Sequence, residues 1–159
     1  MSPILKLIQK NAKLSIAEVS QMLALDSAET AAQIARWEED GTIMGYQAIL
    51  DPEKSGNNNV TALIEVKIRP ERGGGFDHLA DRIAKFEQVT SCYLMSGGYD
   101  LCVIVEGNDL REVARFVAER LSTIEGVLST ATRFQLKTYK QNGLLAKKET
   151  GNERLPVTP

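Results

Sequence analysis

The sequence predicts an α+β protein built in two parts, and three observations carry that prediction. Between Leu14 and Tyr46, apolar residues recur at helical spacing and capping residues mark each break. From Val60 onward, apolar and polar residues alternate with a period of two, interrupted twice by helical stripes. Between the two lies Asp51-Pro52-Glu53-Lys54-Ser55-Gly56-Asn57-Asn58-Asn59, a turn-rich connector.

In the first part, a leading helix is expected from Pro3 to Lys10. Ser15 can N-cap the next helix, because its hydroxyl accepts from an otherwise unpaired amide, and Glu18 completes a capping box. Ile16, Val19, Met22 and Leu23 supply that helix with an apolar stripe. Leu25-Asp26-Ser27 is a short polar break. Asp26 or Ser27 can cap a further helix, Ser27 to Asp40, that turns Ala31, Ile34, Ala35 and Trp37 inward. Gly41 stops it, since a residue without Cβ adopts the left-handed conformation that closes a helix. Ile43 to Leu50 then reads as a strand. Residues 1–50 are thus expected to form a winged helix-turn-helix whose second helix enters a DNA major groove.

After the connector (51–59), Val60, Ala62, Ile64, Val66 and Ile68 alternate with Thr61, Leu63, Glu65, Lys67 and Arg69, as in a strand. Phe76, Leu79, Ala80, Ile83 and Phe86 make a helical stripe. Val89 to Met95 and Leu101 to Glu106 read as strands about the turn Ser96-Gly97-Gly98-Tyr99-Asp100. Asn108 or Asp109 caps a helix with Leu110, Val113, Phe116, Val117 and Leu121 inside, and Val127 to Tyr139 reads as the last strand. This βαββαβ order is that of a ferredoxin-like domain, expected over 60–141, with both helices on one face of a four-stranded antiparallel sheet. The other face is left with Leu63, Tyr93 or Cys92, and several of Thr130, Thr132, Phe134 and Leu136. A second sheet is the simplest cover, so dimers at least are expected. The tail, 142–159, is polar with two late prolines.

The totals exclude several classes. The chain has 159 residues, 43% apolar and 25% charged, ordinary for a globular protein with a core. No apolar run approaches the roughly 20 residues that span a bilayer, and the N-terminus lacks the layout of a signal peptide. Cys92 and Cys102 lie in apolar strand runs and are expected as reduced core thiols in a cytoplasmic protein. His78, the one histidine, makes a zinc site improbable, so neither metal nor cofactor is expected. Residues 1–56 hold five basic and eight acidic side chains, an imbalance that opposes phosphate binding.

Trp37-Glu38-Glu39-Asp40-Gly41-Thr42-Ile43, then Gly45-Tyr46, then Gly97-Gly98-Tyr99-Asp100, then Glu125-Gly126-Val127 before Thr130 and Thr132, stand in an order that resembles the Lrp/AsnC (feast/famine) transcriptional regulators. The resemblance spans about residues 3 to 141. It implies a homodimer, often stacked into octamers through the C-terminal domains, that binds double-stranded DNA through paired helix-turn-helix units. It also implies an effector, typically an amino acid, held between neighbouring C-terminal domains. This chain departs from the family at Gln33, where an arginine is usual.

For the DNA-reading helix, Ser27, Glu29, Thr30, Gln33 and Arg36 are expected outward. Thr30 and Gln33 can reach phosphates or base edges, and Arg36 is the one cation there. For the effector, exposed amides of Gly97 and Gly98 can grip a carboxylate while Asp100 holds an ammonium, complementing an α-amino acid. Tyr99, Thr130 and Thr132 are the candidate companions. The same residues also make ordinary hairpin and strand chemistry. Arg69, Arg72 and Gly73-Gly74-Gly75 lack the pattern of a phosphate loop. Two other readings stand beside a ligand-modulated regulator. Siroheme decarboxylases share the architecture and are enzymes, although a single histidine leaves few groups for proton transfer. A partner subunit that does not itself bind DNA would suit the acidic first half.

Overall fold

The computed structural model describes residues 1–52, 54–56, 58–70 and 75–146. The Arg72–Gly74 stretch and the tail beyond Ala146 lie outside the described residues. Two compact units divide the chain, Met1–Ile49 and Leu50–Pro159.

The first unit is three helices: α1 (Pro3–Lys10), α2 (Ile16–Leu23) and α3 (Ser27–Glu39). Pro3 opens α1 at a position whose amide would have no intrahelical partner. Ser15 caps α2 as a full capping box: the Glu18 amide donates to Ser15 Oγ at 3.3 Å, and the Ser15 amide donates to Glu18 Oε2 at 2.7 Å. The core is small. Only Ile4, Val19, Ser20 and Thr30 are buried in this unit. Two members of the expected α2 stripe, Ile16 and Met22, are instead exposed, and buried Ser20 takes an inward position, its hydroxyl donating to the Ile16 carbonyl at 2.8 Å. The helix is too short and too lightly covered for its whole apolar arc to find partners. Between α2 and α3 the chain turns on Ala24, which sits in the left-handed region at φ 52°. Ile43 to Leu50, expected as a strand, makes no strand pairing, because its own chain offers it no ladder partner.

In the second unit, β1 (Val60–Ile68), β2 (Val89–Leu94), β3 (Leu101–Gly107) and β4 (Val127–Phe134) form an antiparallel sheet in the order β2-β3-β1-β4. α4 (Asp77–Ala84) and α5 (Leu110–Phe116), the latter running on into a π-helical turn over Val117–Leu121, cover one face. Ala62, Ile64 and Val66 on β1 and Leu101, Val103 and Val105 on β3 are buried there against Leu79, Ile83, Val113, Phe116 and Leu121. Phe86 meets Phe116 edge-on, with centroids 5.4 Å apart, tying the α4 exit to α5. Asp109 caps α5 through the Glu112 amide at 2.8 Å, while Leu110, expected inside, is exposed in the first turn.

Two bulges decide which side chains face which way. On β4, Ser129 pairs with Lys67 but Val127 pairs with Ile68, so Leu128 is an extra residue. Val127 packs on the core, and the bulge then returns Thr130, Thr132 and Phe134 to that same side, opposite Val66, Ile64 and Ala62. They were expected on the open face, which is where unbroken alternation from a core-facing Val127 would put them. Leu136 lies beyond the strand, 94% exposed. On β2, Thr90 is the extra residue, which sends Cys92 to the core and Tyr93 to the open face.

The last long strand ends at Phe134 rather than Tyr139. Lys140–Gln141 and Leu144–Leu145 make a separate hairpin, β5 and β6, across the boundary expected at 141. Asn142 (φ 46°) and Gly143 (φ 88°) form its turn, and the Asn-Gly pair is the sequence signal for it.

Ala24→Gly removes a Cβ from a left-handed residue. It is expected to stabilise the first unit by about 0.5–1 kcal/mol, read as a shift in the urea midpoint.

Candidate functional site

The DNA-reading candidate is α3. Asp26 N-caps it, Oδ1 accepting from the amides of Ala28 at 2.8 Å and Glu29 at 2.9 Å, and this fixes where the helix begins. At its far end the Asp40 carboxylate accepts from the Thr42 amide at 2.9 Å, Gly41 turns at φ 77°, and the Ile43 amide donates to the Trp37 carbonyl at 2.8 Å. Contacts with Thr42 hold the Asp40 carboxyl below its ordinary range. Tyr46 bends back to donate its hydroxyl to Glu38 Oε1 at 2.7 Å, which anchors the segment leaving α3 to the last turn of the helix.

Of the outward residues expected on α3, Ser27, Glu29 and Arg36 are exposed and Gln33 is half-buried. Thr30 is not outward. It is 1% exposed and its hydroxyl donates to the Asp26 carbonyl at 2.8 Å, so it shares the packed side with Ile34 and Trp37. Glu29, Gln33 and Arg36 line a shallow groove with Ile4, Leu25 and Thr30. Ala35, expected inward, is exposed. The inward stripe is displaced by part of a turn because hydroxyl back-bonding lets Thr30 be buried at little polar cost.

The effector candidate is the turn before β3. Gly97 adopts φ 129°, and both Gly97 and Gly98 are exposed. Asp100 is tied three ways: its amide donates to Val66 O at 3.0 Å, its carbonyl accepts from Met95 at 2.8 Å, and Oδ2 accepts from the Ile68 amide at 2.8 Å. The turn is thereby bolted to the end of β1. Thr130 and Thr132 stand at the same end of the sheet, on β4 beyond β1, and their side chains lie on the helix-covered side. Thr130 Oγ1 is paired with Ser122 Oγ at 3.1 Å. Tyr99 lies on the other side, near Cys102 and Arg133 of the open face. Within one protomer the sheet therefore separates Tyr99 from the two threonines.

The open face carries a pair that sequence reasoning missed. Arg133 Nε reaches Glu65 Oε1 at 2.8 Å and Nη2 reaches Oε2 at 3.2 Å, a fork across β1 and β4. The hydrogen bond from Arg133 lowers the Glu65 carboxyl below its ordinary 4.5. Burial raises Cys102 and Cys92 above the usual thiol value, so both are poor nucleophiles. No signal in the sequence could have paired residues on strands so far apart in the chain. Among the described residues there is no cluster of three metal-ligating side chains, and no helix is long and apolar enough to cross a membrane.

Residues 4–44 match the family model for a winged helix-turn-helix DNA-binding domain, and residues 61–145 match the Lrp/AsnC ligand binding domain. The chain belongs to the Lrp/AsnC family of transcriptional regulators. It is 40% identical over 157 residues to the HTH-type transcriptional regulator YugG of Bacillus subtilis, covering 98% of this chain and 95% of that protein. It is 30% identical over 122 residues to a proline dehydrogenase transcriptional activator of Rhodobacter capsulatus, covering 77% and 79%. A transcriptional regulator from Neisseria meningitidis, solved in complex with L-Met, superposes with a TM-score of 0.68 at 29% identity, covering 87% of this chain and 88% of that one. AsnC of E. coli shares the fold, with a TM-score of 0.64 at 18% identity over 87% and 91% of the two chains. As an Lrp/AsnC protein the chain is a DNA-binding regulator, with α3 in the place of the second helix of its helix-turn-helix.

The Glu65–Arg133 pair yields a pH prediction with a definite sign. A carboxyl lowered in the folded state adds stability that is present above its unfolded value and lost as pH falls through the folded one. Carboxyl chemical shifts should show Glu65 titrating below 4.5, and Arg133→Gln should bring it back toward 4.5.

Proposed function

We propose that this Lrp/AsnC regulator places Ser27, Glu29, Gln33 and Arg36 of α3 at a duplex, and that an α-amino acid bound at the Gly97–Asp100 turn alters how it does so. The observation that supports this most is the pairing of a DNA-binding match with a ligand-binding match in one chain. The L-Met complex of the Neisseria relative supports an amino acid as the effector class. Locally, Asp100 has one carboxylate oxygen on the Ile68 amide, and its Oδ1 has no hydrogen bond among the described residues, which suits an incoming ammonium. Gly97 and Gly98 offer exposed backbone to a carboxylate. The relatives named above are regulators, and we read this chain as a cytoplasmic regulator without catalytic activity. A partner subunit that leaves DNA contact to another chain is the second reading, and the excess of acids in residues 1–56 favours it.

A thermodynamic condition attaches to the effector: it shifts DNA affinity only if it binds one arrangement of the protein better than another. Duplex carrying the chain's own upstream region, followed by fluorescence anisotropy over a salt series, should bind with a steep negative salt slope. Arg36→Ala should reduce that slope by about one. An amino acid that shifts the curve in the wild type should have no effect in Asp100→Asn, whose amide oxygen can still accept from Ile68. Absence of binding at low salt would favour the partner-subunit reading.

We also propose that the open sheet face is closed by a second copy, giving a homodimer that further stacking extends to octamers. Leu63 and Ile104 on that face are half-buried and Tyr93 is 56% exposed, while Met44, Tyr46, Ile49 and Leu50 are uncovered in the unpaired segment after α3. Leu63→Arg should shift the sedimentation coefficient toward the monomer. An unchanged particle would rule out this face as the dimer contact.

A further inference from the structure

The segment leaving α3 is held to the helix at three points, and each closes a longer loop than the one before. The Thr42 amide donates to Asp40 Oδ1 at 2.9 Å, the Ile43 amide to the Trp37 carbonyl at 2.8 Å, and the Tyr46 hydroxyl to Glu38 Oε1 at 2.7 Å. The first two finish the turn at Gly41 and are ordinary helix-stop chemistry. The third is different in kind. It reaches past the turn, joins two side chains, and is the last hydrogen bond to α3 along this segment among the described residues.

Little else fixes the chain between Ile43 and Tyr46. Met44 is 98% exposed, Gly45 has no side chain to pack, and the segment makes no strand pairing. Each of these residues keeps two soft backbone dihedrals, so without a tie at Tyr46 the chain could leave α3 in many directions. The Tyr46 ring is itself half exposed, which leaves the hydrogen bond rather than burial to hold it. The Glu38 carboxylate raises the Tyr46 hydroxyl above its ordinary 10, so the hydroxyl stays protonated and donating through the neutral range.

The direction of exit matters in a dimer. Two recognition helices carried by a two-fold dimer meet half-sites one helical turn or a multiple apart, so the accepted spacing depends on how firmly each helix is joined to whatever holds the pair together. The chain passes from α3 to the Leu50–Pro159 unit through this segment.

We propose that Glu38 and Tyr46 are positioning residues for DNA recognition: their hydrogen bond sets the direction in which the chain leaves α3, and thereby the half-site spacing the protein accepts. Both act through the placement of α3 and not by contact with the bases. This rests on the reading of α3 as the DNA-contacting helix of a homodimer.

The test uses the full chain and a duplex enriched from a random library by the wild-type protein. That duplex is remade with base pairs added one at a time between its half-sites, and a duplex carrying a single half-site serves as the reference. Wild-type affinity should fall sharply once the spacing changes. Tyr46→Phe keeps the ring and loses the donor. Its preference for the original spacing should drop by about fivefold, the effect of losing one hydrogen bond, while its affinity for the single half-site is unchanged. Glu38→Ala should behave in the same way, whereas Glu38→Gln, which still offers an acceptor oxygen, should keep the wild-type preference. An equal spacing preference in wild type and Tyr46→Phe would overturn this proposal and leave the regulator reading intact. So would a loss in Tyr46→Phe that is as large at the single half-site, since the bond would then only hold the helix together. A wild-type protein that enriches no duplex at low salt, or that sediments as a monomer, would overturn the underlying reading and this proposal with it.

Discussion

Everything in the second unit depends on β1 being the central ladder, hydrogen-bonded to β3 on one side and β4 on the other. A strand in that position must present one set of side chains to the helices and the alternate set to whatever covers the opposite face. Ala62, Ile64 and Val66, all 0% exposed, form the first set, and burying the branched pair contributes roughly 1.5–3 kcal/mol per side chain. Leu63 and Glu65 form part of the second. The candidate effector turn inherits its position from the same strand, since Asp100 is bonded to the backbone of Val66 and Ile68. A disturbance at the turn is therefore felt at the middle of the sheet.

The first unit solves a different problem with fewer resources. Four buried residues make a thin core, so local devices carry a large share of the order: the Ser15–Glu18 box, the Asp26 cap, the Thr42–Asp40 contact and the Tyr46–Glu38 bond. Caps of this kind are worth about 1 kcal/mol each. They place both ends of α3 and so define the face it offers.

Charge is mixed along the exposed side of α3, where Glu29, Arg36 and Glu39 all face outward. The open sheet face carries the fork-shaped ion pair of Glu65 and Arg133 beside the apolar Leu63 and Ile104.

Read alone, the sequence determined whatever depends on neighbours along the chain. The capping box at Ser15, the Asp26 cap, the Gly41 stop, the alternation of Val60 to Ile68 and the glycine turn before Leu101 are all local, and their order was enough to identify the family and both domain types. Only the tertiary structure decided which way residues faced once a local rule met a partner. Single extra residues at Leu128 and Thr90 reverse the parity of β4 and β2, because facing is set by register with the next strand and not by alternation within one. Thr30 is drawn inward because its hydroxyl finds a carbonyl one turn back, and Glu65 meets Arg133 because β1 and β4 are adjacent. Contacts of that kind are made across space, and no spacing in the chain encodes them.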